Sequence, residues 1–321
     1  MALRRLVTFC AVSFLLLSVT SSLTGCGGKP APSKPANAPK VFSKADFTKA
    51  LASTKSMAPD QAVIKLSKLA IEAFDADERE PAKEAMGEAL KRMDEMTGEE
   101  PADTLVEMWS ISSPALYKVG KRDEARANLK KAVEVAAKIE KPEPKARSLA
   151  RLATAQHSIT QTPDAITTLK RAEDLTGKEE DPVAKLTILG AVAEGEQAIG
   201  KADQAERIVK SMTEIAGTAT EPEVKAKYLA MVAGTQIGIE KKDAGAETFK
   251  QAREAAESVK DPLKRVFAMF NVGQKMWQSK QFKSGREVLE ACRSSAMSTE
   301  SLKNKQAEFK VMYEEIAGML K

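Results

Sequence analysis

Along most of the chain, apolar and small residues return every forty positions. Pro142, Pro182, Pro222 and Pro262 mark the period, and three residues after each comes a base: Lys145, Lys185, Lys225 and Arg265. Seven residues after each proline stand Leu149, Leu189, Leu229 and Met269. Ten after stand Leu152, Val192, Val232 and Val272, and eleven after stand Ala153, Ala193, Ala233 and Gly273. These offsets fall on one face of a helix. A second helix then presents small residues at Ala165, Ala205, Gly245 and Gly285 and apolar ones at Leu169, Val209, Phe249 and Leu289. Small or slim residues follow at Ala172, Met212, Ala252 and Cys292. Each helix pair is too thin to fold alone, so the pattern predicts stacked pairs sharing one continuous core.

The same columns extend back from Pro59 through Leu66, Leu69, Ala70, Ala82, Met86 and Ala89, giving a fifth copy. A sixth lies between, with Trp109, Ser113, Leu116, Gly120, Ala125, Leu129 and Ala132. Its alternative register, Met108, Ile111 and Ser112, needs a one-residue insertion, and Pro114 predicts a kink in its first helix. The chain enters its first helix at Ser43, which with Asp46 reads as a capping box. The last segment, 302–321, puts Leu302, Phe309, Met312, Ile316 and Leu320 on one stripe and reads as a capping helix over the final pair.

The alternation of large and small residues with gaps of three, one, twelve, four and three resembles the tetratricopeptide (TPR) family, over about Pro59 to Thr299. The resemblance implies an all-α fold, a right-handed α-solenoid of about six TPR-like helix pairs with a C-terminal capping helix. It departs in its period of about forty against the family's 34, in Leu or Met at the usual Trp column, and in keeping the turn glycine only at Gly120 and Gly200. Longer helices or loops must absorb the added residues.

The first 25 residues follow a different pattern. Arg4 and Arg5 precede an apolar run from Leu6 to Leu17 with no helical stripe, and small and polar residues follow up to Cys26, as in an export signal. Leu23-Thr24-Gly25-Cys26 resembles the lipobox of bacterial lipoproteins. That resemblance implies acylation of the Cys26 thiol, cleavage after Gly25, and a chain held in the cell envelope by its lipid. Acyl chains add about 0.8 kcal/mol per buried methylene, and two or more make the anchor stable. Gly27, standing where family members retained at the inner membrane often carry Asp, favours the outer membrane if two membranes are present. Residues 26–40 then hold four prolines, two glycines and three lysines, a linker that cannot bury a core. The folded array is expected over 41–321.

Composition removes several function classes. A net charge of +5 spread over 321 residues is no nucleic-acid signal, and the leader would take two of the bases with it. One histidine and three cysteines exclude a disulfide scaffold and any metal site built from several His and Cys ligands. Asp75, Asp77 and Arg79 begin like a calcium loop, but Glu80 stands where glycine is needed and Met86 where the bidentate acid belongs. No phosphate-cradling loop, nucleophile elbow or zinc-protease motif is present. His157 shares a variable column with Gln197, Ile237 and Trp277, and Cys292 sits in a small-residue column as a structural thiol. No catalytic residue, cofactor or metal is expected.

Charge is uneven: Glu72 to Glu100 holds eleven acids against four bases, and Lys260 to Lys310 eleven bases against five acids. This is a solvated surface or a basic end, including Lys280, Lys283 and Lys303, that meets an acidic partner or anionic lipid. In TPR proteins ligands often lie along the concave face of the first helices. Carried over by register, that face comprises Arg147, His157, Glu194, Gln197, Lys227, Phe267, Phe270, Gln274 and Trp277. For the aromatic members, Phe267, Phe270 and Trp277, the alternative is that they only pack against the capping helix and bind no ligand. The expected function is a non-enzymatic envelope scaffold binding a protein or peptide, with a groove-sited enzyme or glycan-binding lipoprotein as the alternative.

Overall fold

The computed structural model describes residues 43–96, 100–299, 312 and 314–319. Contacts divide the chain into Met1–Val41 and Phe42–Lys321, and every described residue belongs to the second unit. The leader, Cys26, the linker, Leu302, Lys303, Phe309 and Leu320 lie outside the described residues.

The described residues contain helices and no strand. An entry helix, α1 (Lys44–Ser53), is capped by Ser43, whose hydroxyl accepts from the Asp46 amide at 3.3 Å. Six pairs follow. Their first helices are α2 (Pro59–Asp75), α4 (Ala102–Lys118), α6 (Pro142–Ser158), α8 (Pro182–Ala198), α10 (Pro222–Gly238) and α12 (Pro262–Gln278). Their second helices are α3 (Arg79–Asp94), α5 (Arg122–Ala137), α7 (Thr162–Glu173), α9 (Ala202–Gly217), α11 (Lys242–Glu257) and α13 (Phe282–Ser298). The recurrent proline opens its helix because the missing N–H is an orphan there and its φ is already helical. Asp181 and Asp261 reinforce two of these starts by accepting from the amides of Val183, Ala184 and Lys264.

Every first helix is 17 residues long, and most second helices are 16. The longer period is therefore absorbed mainly by helix length. In the third pair α7 gives way to a 3-10 turn, Asp174–Lys178. Each first helix packs on its own second helix and on the first helices of neighbouring pairs, forming an all-α solenoid. The sixth copy keeps the forty-residue register from Ala102, so Trp109, Ser112 and Ser113 occupy the repeat columns and no insertion interrupts α4. The extra residues lie before it, between α3 and α4. Helix α4 continues through Pro114 and matches its counterparts in length.

The core is the set of columns described above. Leu66, Leu152, Leu169, Val192, Val272 and Leu289 are inaccessible to water, as are Ala165, Ala205 and Cys292. Burying one such leucine contributes roughly 1.5–3 kcal/mol. The small columns permit close helix approach: a Cβ on Gly285 would lie 3.1 Å from the Trp277 amide nitrogen and 3.3 Å from the Gly273 carbonyl oxygen.

All six turns within pairs have one shape. Asp77, Gly120, Thr160, Gly200, Glu240 and Lys280 occupy the same column and all take positive φ, between 61° and 93°. The amide after each bonds back into the first helix, as Lys201 N to Glu196 O at 2.8 Å and Gln281 N to Met276 O at 2.9 Å. This is the Schellman closure, which satisfies the last helical carbonyls. Two of the six use glycine, and the others carry a side chain through the left-handed region.

The terminal helical segment continues the period. Gln274 donates through Nε2 to Glu315 Oε1, 41 residues on, and Lys275 packs over Gly234 at the same separation. Met312 and Ile316 are buried in the main core, one period after the buried Val272 and Met276. The described part of the terminal segment, 312 and 314–319, thus covers the last pair, as expected of a capping helix, and continues the forty-residue spacing.

Candidate functional site

A first helix turns one side to its own second helix and both flanks to neighbouring first helices. What remains is a stripe on the far side, one turn apart in each helix. It carries Glu107, Arg147, Thr187, Lys227 and Phe267 in one column and Arg151, Ala191, Met231 and Asn271 in the next. Thr154, Glu194, Gly234 and Gln274 complete it. Along the stripe Lys227 is exposed, Phe267 is 39% exposed, and Ala191 and Met231 are half-buried.

Charges on the stripe bridge successive helices. Glu107 of α4 pairs with Arg151 of α6 at 3.2 Å. Two helices further on, Glu194 of α8 lies across α10: a Cβ on Gly238 would sit 2.7 Å from Glu194 Oε1. From the other side Lys275 of α12 covers Gly234, whose Cβ would sit 2.5 Å from Lys275 Cε. The two glycines bare one face of α10, and two charged side chains fill it. Burial raises the Glu194 carboxyl above its ordinary value, and Lys275 and Arg151 pull it partly back. Lower on the same helices Lys264 donates to Glu223 at 2.6 Å, and this bond holds the carboxyl below and the ammonium above their ordinary values. Arg147 pairs with Glu143 one turn earlier in α6 at 3.3 Å, whereas Lys227 makes no ion pair among the described residues.

Of the nine residues read from the sequence, the structure brings Arg147, Glu194, Lys227, Phe267 and Gln274 onto this stripe. His157 and Trp277 are corrections. Their column turns toward the second helix of the same pair, where His157 Nδ1 meets the hydroxyl of Thr162 at 3.0 Å and the Trp277 ring meets Phe282. Gln197 shares that column. Phe270 is also corrected: it is buried in the same core cluster as Met312 and Ile316. Arg151, Lys275 and the pair Gly234 and Gly238 belong to the site and were missed. Two glycines four apart in a helix whose counterparts carry larger residues were the available signal.

The stripe presents hydrogen-bond donors, the exposed Lys227 with no ion pair among the described residues, and the apolar side chains of Met231 and Phe267, an arrangement suited to holding an extended ligand. Cys292 stands apart, its thiol donating to the Val266 carbonyl at 3.3 Å and pushed up to about 12 by burial, a state without nucleophilic character at neutral pH. No group of acids, His and Cys among the described residues could hold a metal ion, and none of their helices is long and apolar enough to cross a membrane.

No protein-family model matches the chain, and no curated protein matches it. Among solved structures the chain is similar to the crystal structure of Ton1535 from Thermococcus onnurineus NA1, at 13% identity and a TM-score of 0.39, over 78% of this chain and 92% of that one. Nothing about a ligand or an activity passes from it to this protein.

Proposed function

We propose that this protein is a lipid-anchored, TPR-like scaffold of the bacterial cell envelope that binds a protein or peptide along its first helices and performs no catalysis. The observation that carries this reading is the stripe. It runs across consecutive helices, the fold's own second helices leave it open, and it carries the exposed Lys227, without an ion pair among the described residues, together with Met231 and Phe267. The lipobox-like Leu23 to Cys26 and the Pro-rich linker support the anchor, and the partner is an extended segment with apolar side chains and acidic groups.

Two measurements test the two halves. Radiolabelled fatty acid should enter the wild-type chain and be absent from Cys26→Ala; labelling of the variant refutes the anchor. Arg147→Glu with Lys227→Glu should reduce recovery of crosslinked envelope proteins while circular dichroism is unchanged, since Lys227 is exposed and Arg147 gives up a partly exposed pair with Glu143 worth no more than about 1 kcal/mol. Unchanged recovery refutes the stripe as the binding face.

A further inference from the structure

The last turn between paired helices departs from the five before it. Second helices begin with Arg79, Arg122, Thr162, Ala202 or Lys242, but α13 begins with Phe282. The next position is Glu80, Asp123, Asp203 or Asp243 in four of the others, and in α13 it is Lys283. An acid at a helix N-terminus is favoured by the macrodipole and a lysine is disfavoured, so the substitution works against the helix that carries it. Phe282 is 51% exposed, and its ring meets Trp277 edge to face at 5.0 Å and 71°. Lys280 and Lys283 are exposed and make no ion pair among the described residues. From Trp277 to Arg286 there are three bases and no acid.

An exposed phenylalanine on a half-buried tryptophan, beside two exposed lysines without an ion pair among the described residues, is the composition of a membrane–water interface. Trp and its neighbours rest at the headgroup level, and lysines sit over lipid phosphates. We propose that the turn between α12 and α13 docks on a bilayer surface bearing anionic headgroups. Trp277 and Phe282 enter the headgroup boundary, and Lys280 and Lys283 supply the charge contact. An acidic protein surface accounts for the lysines but not for the half of Phe282 that stays exposed beyond its contact with Trp277. The contact is peripheral, and it stands on this turn independently of acylation at Cys26.

The chain has two tryptophans, so Trp109→Phe leaves Trp277 as the single fluorophore. In a full-length Cys26→Ala background, this protein is mixed with phosphatidylcholine vesicles, with or without roughly a third phosphatidylglycerol, whose acyl chains are brominated. Trp277 should be quenched by the anionic vesicles, and quenching should weaken in salt. Each lysine near an anionic surface strengthens partition roughly fivefold, so Lys280→Glu with Lys283→Glu should weaken it at least about tenfold. The apolar leader is common to every variant, so differences between variants report the turn. If Trp109→Phe loses helicity, the wild-type pair measured against Trp277→Phe gives the same difference. Absence of quenching, or equal quenching by neutral vesicles and in the charge-reversed variant, overturns the proposal. So does binding of polyglutamate by this turn without vesicle quenching, which would assign it to an acidic protein. Failure here leaves fatty-acid labelling at Cys26 untouched, and the reverse also holds.

Discussion

The guanidinium of Arg79 stacks on the ring of Phe74 at 4.7 Å, across the turn that joins α2 to α3. The same two columns join Tyr117 to Arg122 at 5.2 Å, His157 to Thr162, and Trp277 to Phe282. In these four pairs a side chain from the last turn of the first helix clasps the first residue of the second, with chemistry that changes from pair to pair. The clasp closes over the residue held at positive φ, so local turn geometry and side-chain contact stabilise the same hairpin.

A double-mutant cycle on Phe74→Leu and Arg79→Met should return a coupling of roughly 0.5–1 kcal/mol, the range for exposed cation–π contacts. The cycle removes the separate pairing of Arg79 with Asp77 from the result. A coupling of zero by chemical denaturation would show that the stack contributes nothing.

Thr160→Gly and Glu240→Gly should each stabilise the array by roughly 0.5–1 kcal/mol. The left-handed conformation costs an L-residue about 1–2 kcal/mol, and the added freedom of glycine in the unfolded chain returns part of that gain. Gly200→Ala, at the same column with φ of 83°, should destabilise. Melting temperatures that move in the opposite directions would show that the turns are not strained.

Ala205→Leu should cost roughly 1–3 kcal/mol, because added methylenes at a fully buried helix contact force the backbone apart. Lys210→Leu, on the exposed side of α9, should change little. Equal melting temperatures for the two variants would contradict the packing register.

Glu196 is about nine-tenths buried, with Oε2 lacking a hydrogen-bond partner among the described residues. Burial raises its pKa; Lys201 and Arg207 oppose the rise and Glu173 adds to it. The folded state therefore holds the proton more tightly than the unfolded state. Stability present below the ordinary carboxylate pKa is lost as pH rises through the folded one. Gln156 fills the same column and accepts from Thr168 at 2.8 Å, so an amide is already accommodated there. Glu196→Gln should raise the melting temperature at pH 7, with the gap closing toward pH 4. A gap that widens in acid would reverse the sign and refute the argument.

The repeat was legible because helix contacts demand one residue size at one place. Leu149, Leu189 and Leu229 or Ala165 and Ala205 return at fixed spacing whatever surrounds them. The four turns without glycine were not legible, since Asp77, Thr160, Glu240 and Lys280 take positive φ where the Schellman bonds close the helix, and a clasp spans three of them. His157 and Trp277 were placed on the open face because their column borders it, and only the contacts with Thr162 and Phe282 decide which way they turn. The charge bridges were hidden for a similar reason. Arg151, Glu194 and Lys275 sit in three different columns and meet only through the stagger of successive helices.

The central claim is that the open face of the first helices, and not the outer surface of the second, receives the partner. A photocrosslinking amino acid placed at Lys227 and, separately, at the exposed Lys250 of α11 tests it in native membranes. The account predicts a discrete adduct from position 227 that disappears when Arg147 is also changed to Glu, and none from position 250. Adducts of equal yield from both positions, or from position 250 alone, would contradict it.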